Sequence, residues 1–169
     1  MNTTERQLLR KIRLLVLFFI VALVLSGITA FPLITEMKIM SSLLGIESNL
    51  PPTAYSGLKH WISTVNEGLI NINAQYPFML YGTDWLAFAH ITIAVAFIGL
   101  YREPIRNKWL IYFGMIACAG ILPLAFICGS IRGIPFYWQL IDCSFGIFGF
   151  IPLYLLHIWV KKLERIQKN

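Results

Sequence analysis

Charge is scarce in this chain of 169 residues. Only 13% of its residues are charged and 57% are hydrophobic, whereas soluble domains usually contain about 25% charged residues. This scarcity argues against a soluble domain, because a water-facing surface of this length would carry more charge. We therefore interpret residues 1–169 as a single integral membrane domain.

Motifs for metal, redox and nucleotide chemistry are also lacking. The chain has three cysteines but no Cys-x-x-Cys pair, no His-Glu-x-x-His, no glycine-rich phosphate loop and no Gly-x-Ser-x-Gly elbow. These absences exclude the familiar zinc, thiol-exchange, nucleotide-binding and serine-hydrolase sites. We expect no metal and no cofactor.

What the chain has instead is four long apolar stretches, whose charged residues are confined to their ends. They predict membrane spans at about residues 12–32, 84–101, 109–128 and 143–160, because crossing a bilayer takes about 20 mostly apolar residues. A helix forms all of its backbone hydrogen bonds within itself, as the interior of a bilayer requires. We therefore predict an all-α bundle of four transmembrane helices. The first stretch ends in small residues, as cleaved signal peptides do. Its apolar run is longer than usual, so we expect it to be kept as the first helix.

The basic residues indicate an orientation. Most of the 14 Lys and Arg residues lie before residue 14, at 102–108 or after residue 160, which favours cytoplasmic N- and C-termini by the positive-inside rule. The net charge of +6 then reflects orientation and attraction to membrane lipids. No basic stripe with interleaved aromatics predicts nucleic-acid binding. The low charge and short tails suggest a bacterial inner membrane.

The longest segment between spans, residues 35–83, is predicted to lie outside the cell. Its residues 57–71 carry apolar side chains at helical spacing, at Leu58, Trp61, Ile62, Val65 and Leu69. This pattern predicts an amphipathic helix in the outer membrane interface. Such a helix either packs on the bundle or covers its mouth.

Ionisable residues gather near the predicted outer face. Burying an ionisable side chain in a membrane is costly, so such residues suggest a functional site. Asp84 and Asp142 begin two spans that enter from this face, and Arg132 lies between them in sequence. We predict a polar pocket here, with Asp84 and His90 as candidate catalytic residues and ligand contacts from Glu36, Arg132, Trp138 and Asp142. The structural alternative is that Asp84 and Asp142 are helix N-caps. Cys128 and Cys143 also lie near this face. They either form a disulfide or, together with Cys118, remain free thiols.

His90 has its own alternatives. At helical rise it lies roughly 9 Å deeper than Asp84, so it should face the bundle, as a core histidine bonded to a neighbouring helix or as a proton carrier. His157 falls near the inner face, too distant in depth to share one haem iron with His90. A haem held by His90 alone remains as an alternative cofactor.

Two classes of function fit these observations. In the first, the protein binds a small lipophilic or lipid-like ligand in a pocket open to the outer face, with catalysis left open. In the second, it is a non-enzymatic scaffold or assembly subunit that binds a second copy or another membrane protein. The order of one helix, a long outer segment and three further helices is similar to the layout of the emopamil-binding sterol-isomerase family. This likeness is in topology, and no catalytic residue is carried over from it.

Overall fold

The chain is helical throughout the part that this computed structural model describes, residues 3–168, and no β-strand occurs there. Four helical segments are long and apolar enough to cross a membrane: Thr3–Ala30, Pro77–Arg102, Trp109–Ile131 and Phe136–Lys168. The all-α prediction and the four predicted long helices are confirmed. Together they suggest an integral membrane protein.

The helices are α1 (Thr3–Ala30), α2 (Leu33–Leu43), α3 (Gly57–Gln75), α4 (Tyr81–Arg102), α5 (Trp109–Pro123), α6 (Gly129–Ile131) and α7 (Phe136–Lys168). Pro32 separates α1 from α2, because proline has no N–H to continue the helical ladder. After Pro123, residues 124–128 form a π-helical turn that leads into α6. Proline thus marks two points where regular helix is interrupted.

The described residues group into two compact units, 22–93 and 3–21 with 94–168. In the first unit α2 packs on α3, and the buried residues there include Met37, Ser41, Ile62 and Ser63. The helix predicted at 57–71 is confirmed as α3, while its position relative to a membrane stays a prediction. At Gly27 of α1, an added Cβ would lie 2.8 Å from the carbonyl oxygen of Ala87 in α4.

In the second unit, α5 and α7 pack closely through small residues. A Cβ added at Gly146 would lie 2.6 Å from the carbonyl oxygen of Cys118, and one at Gly149 would lie 2.9 Å from its Sγ. Close backbone approach of this kind is how membrane helices gain contact without a hydrophobic driving force. Phe19 of α1 stacks on Phe97 of α4, with ring centroids 5.8 Å apart, and Phe97 is fully buried.

Candidate functional site

The predicted site residues of the first unit lie on two helices. Glu36 is in the first turn of α2 and Asp84 in the first turn of α4, and both are half-buried. Because α4 begins at Tyr81, directly after a 3₁₀ turn, Asp84 lies inside the helix and the predicted N-cap position is wrong. A carboxylate in a first turn still faces the positive end of the helix dipole.

His90 lies where α1 and α4 approach each other. Its Cβ is 3.3 Å from the position that a Cβ on Gly27 would take, and its Nδ1 is 2.8 Å from the carbonyl oxygen of Leu86. A carbonyl only accepts, so this contact assigns the hydrogen to Nδ1. The partner is the histidine's own helix, not a neighbouring one. Within residues 3–168 no three His, Cys, Asp or Glu residues are grouped as a metal site would require.

The other predicted residues belong to the second unit. Arg132 is exposed in the turn between α6 and α7, and Trp138 and Asp142 are half-buried in the first two turns of α7. The prediction that Asp142 caps a helix is wrong, because α7 begins six residues earlier. At that start, the carbonyl oxygen of Pro135 accepts hydrogen bonds from the backbone N–H groups of Trp138 and Gln139. No ion pair joins Arg132 to Asp142 in the described chain. A common pocket for all six predicted residues stays a prediction.

The turn between α6 and α7 is held by Gln139, a residue that the sequence reasoning missed. Gln139 is only 3% exposed. Its Nε2 donates to the carbonyl oxygen of Ile134 at 2.8 Å, and Ser130 Oγ donates to its Oε1 at 3.5 Å. The available signal was a neutral polar residue four positions after Pro135 in an otherwise apolar run. Cys118, Cys128 and Cys143 are all free thiols, so the disulfide left open from the sequence does not form here.

Two adjoining clefts lie at the other end of α5 and α7. The α1 cleft has a volume of about 240 Å³ and is lined by Arg6, Leu9, Arg10, Arg13, Leu14, Leu17 and Tyr101. The loop cleft has a volume of about 380 Å³, and its lining includes Leu9, Arg13, Arg102, Glu103, Arg106 and Gln167. Leu9 and Arg13 line both clefts, which therefore share a wall.

Arg13 lies at this shared wall, and its polar contacts are incomplete. Its guanidinium carbon is 5.7 Å from the centre of the Tyr101 ring, a favourable cation–π distance. Its Nε is buried without a hydrogen-bond partner among the described residues. A buried donor of this kind normally finds a partner in water, a ligand or the protein. The α1 cleft has three arginines and no acidic residue in its lining, so it is strongly positive.

The loop that borders these clefts, residues 103–108, is fixed by polar contacts. Asn107 Nδ2 donates to the carbonyl oxygens of Gly99 at 2.9 Å and Glu103 at 3.1 Å. Lys108 and Lys168 both pair with Glu164, at 3.0 and 3.2 Å. A helix of 33 residues is about 50 Å long, longer than the roughly 30 Å hydrocarbon core. Glu164 lies beyond the predicted span at 143–160, and hydrogen bonds from Lys108 and Lys168 lower the pKa of its carboxyl.

The arginines of the clefts were interpreted from the sequence only as signs of orientation. A further signal was present, because Arg6, Arg10 and Arg13 recur at helical spacing and share one face of α1 with Leu17. The second wall could not be read from the sequence, since it brings residues 102–106 against residues 163 and 167. Comparison with protein-family models, curated proteins and solved structures finds no match for this chain.

Proposed function

We propose that this chain is an integral membrane protein that binds an anionic, lipid-like ligand in the α1 cleft. The observation that carries the proposal is the division of the cleft into a basic part, with three arginines, and an apolar part formed by leucines of the same helix face. The proposal keeps the lipid-like ligand expected from the sequence. It moves the binding site from the predicted outer-face pocket to the basic end.

The dimensions of the cleft match an amphiphile. From Arg6 to Leu17 a helix rises roughly 16 Å, which spans a headgroup and the first part of an acyl chain. Leu14 and Leu17 are 58% and 45% exposed, and each CH₂ group removed from water contributes about 0.8 kcal/mol. Arginine suits the other end, because its planar guanidinium donates two parallel hydrogen bonds to phosphate.

The orientation predicted from the basic residues puts this cleft in the cytoplasmic leaflet. That leaflet is rich in anionic lipid, and basic pockets between helices on that side of a membrane are known headgroup sites. The lining offers cations, an aromatic ring and leucines, which is the chemistry of binding. We propose no catalytic step.

Native mass spectrometry of the protein in a mild detergent tests this function. We expect the unaltered chain to retain an anionic phospholipid and Arg10→Gln to lose it, because a hydrogen bond to a charged group contributes about 1.5–3 kcal/mol, or tenfold or more in affinity. Lys11→Gln is the matched control. Lys11 is the next residue, is exposed and lines neither cleft. Its variant therefore removes the same charge as Arg10→Gln without changing the cleft.

Two results would overturn the proposal. Equal loss of lipid in the Arg10 and Lys11 variants would mean that net charge alone attracts lipid to this end. A lipid-free mass for the unaltered chain, with added phosphatidylglycerol failing to bind, would favour the scaffold class of function instead.

A further inference from the structure

The two clefts together offer more positive charge than one phosphate group needs. The α1 cleft has Arg6 and Arg10 to itself, the loop cleft has Arg102 and Arg106 to itself, and Arg13 lines both. A phosphate held by Arg6 and Arg10 would thus leave a second cationic wall unoccupied on the far side of Arg13. A guanidinium has five N–H donors, so an arginine that lines both clefts is suited to contact two anionic groups at once.

Little in the loop cleft opposes a second anion. Glu103 is the acidic residue of its lining, and its carboxylate is 3.4 Å from Arg106 Nη1. Both side chains are mostly exposed, and exposed pairs of this kind contribute only about 0.2–1 kcal/mol. Arg106 can therefore exchange Glu103 for a phosphate at small cost. Arg102 forms no ion pair among residues 3–168.

The loop cleft also has the space. Its volume of about 380 Å³ corresponds to roughly a dozen water molecules at about 30 Å³ each. Leu9 and Arg13 line both clefts, so the two clefts lie on either side of these side chains.

We infer that the ligand carries two phosphate groups, one bound in the α1 cleft and the other in the loop cleft, with Arg13 between them. This inference rests on the proposed function and specifies the chemical class of its ligand. A lipid with two phosphodiesters joined by a glycerol has this chemistry, and so does a soluble diphosphate.

The test compares two lipids by native mass spectrometry titration of the full chain in detergent. Cardiolipin supplies two phosphates per molecule and phosphatidylglycerol one, at matched phosphate concentration. We expect at least tenfold preference for cardiolipin. Arg106→Gln should reduce the affinity for cardiolipin far more than the affinity for phosphatidylglycerol, whereas Arg10→Gln should weaken both lipids and Lys11→Gln neither. Circular dichroism checks that each variant keeps its helix content.

The outcomes separate the two proposals. If phosphatidylglycerol binds in an Arg10-dependent way but cardiolipin has no advantage, or if Arg106→Gln weakens both lipids equally, the two-phosphate inference is overturned and the proposed function stands. If neither lipid binds better than phosphatidylcholine, the proposed function falls as well. Inorganic diphosphate as a competitor identifies the source. Displacement of cardiolipin at similar concentrations supports a soluble two-phosphate ligand, and lack of displacement supports the lipid.

Discussion

The turns at the two ends of the apolar segment Trp109–Ile131 differ in their polar groups. The loop at 103–108 is held by the amide of Asn107 and also has two charged pairs, the partly buried Lys108–Glu164 and the mostly exposed Arg106–Glu103. The turn at 132–135 is held by the buried and neutral Gln139, while its one cation, Arg132, is exposed. Both turns join segments that are long and apolar enough to cross a membrane, so the difference lies in the polar groups and not in the segments that they join.

This difference follows from the cost of burial. A buried charge is expensive unless it is paired and hydrogen-bonded, whereas an amide can be satisfied by two contacts. Gln139 therefore holds a closely packed turn, and the charged loop leaves space around its cations. Clefts suited to anions form at the charged loop for the same reason. The proposed ligand site and the closely packed turn thus lie at opposite ends of the segment Trp109–Ile131.

The first prediction concerns the contact between α5 and α7, because loss of this contact should displace both turns. In Gly146→Ala the new Cβ would meet the backbone oxygen of Cys118 at 2.6 Å, and rotation of a side chain cannot relieve this clash. We expect a loss of about 3 kcal/mol, the upper range for overpacking, as a lower midpoint of thermal unfolding in detergent. Gly120→Ala is the matched control, because a Cβ there meets nothing within 4 Å. Equal midpoints for the two variants would contradict the close packing of α5 on α7.

The second prediction concerns the turn at 132–135. Gln139→Leu keeps the volume but leaves the Ile134 carbonyl without its side-chain donor, so we expect a loss of about 2 kcal/mol. Arg132→Gln removes the charge of the same turn and should change stability by less than about 0.5 kcal/mol, as exposed substitutions usually do. Unfolding by denaturant in micelles measures both variants. A larger effect for Arg132→Gln would mean that the charge, and not the buried amide, holds this turn.

The long helices of this chain are easier to predict from sequence than its turns. Apolar runs located the four long helices, since hydrophobic length is a local property of the chain. The start of α7 was placed too late, because Tyr137 and Gln139 interrupt the apolar run although they are helical after Pro135. Asp142 was consequently assigned to an N-cap that lies elsewhere. Length and hydropathy do not reveal which polar residue a turn will bury.

The candidate site was harder to predict for a different reason. Sequence reasoning favoured carboxylates and a histidine near the predicted outer face, because isolated ionisable residues in apolar runs are conspicuous. The arginines of α1 are common at the ends of membrane helices and were explained by orientation. Their value as a site depends on Tyr101, which completes the lining of the α1 cleft. That contact joins distant parts of the sequence and is a property of the packed unit.

The smallest expected effect concerns the ion pairs of the charged loop. The hydrogen bonds from Lys108 and Lys168 lower the folded-state pKa of Glu164 below its unfolded value. The stabilisation they supply is therefore present above the unfolded pKa, and it is lost as the pH falls through the folded pKa. The unfolding midpoint of Glu164→Gln should fall below that of the unaltered chain at pH 7, and the two should converge under acid conditions. Glu103→Gln, which removes the more exposed carboxylate of the loop at 103–108, should lower the midpoint at pH 7 by less. A pH-independent gap for Glu164→Gln would mean that its carboxylate acts by packing, and the contrast between a charged loop and a neutral turn would lose its electrostatic basis.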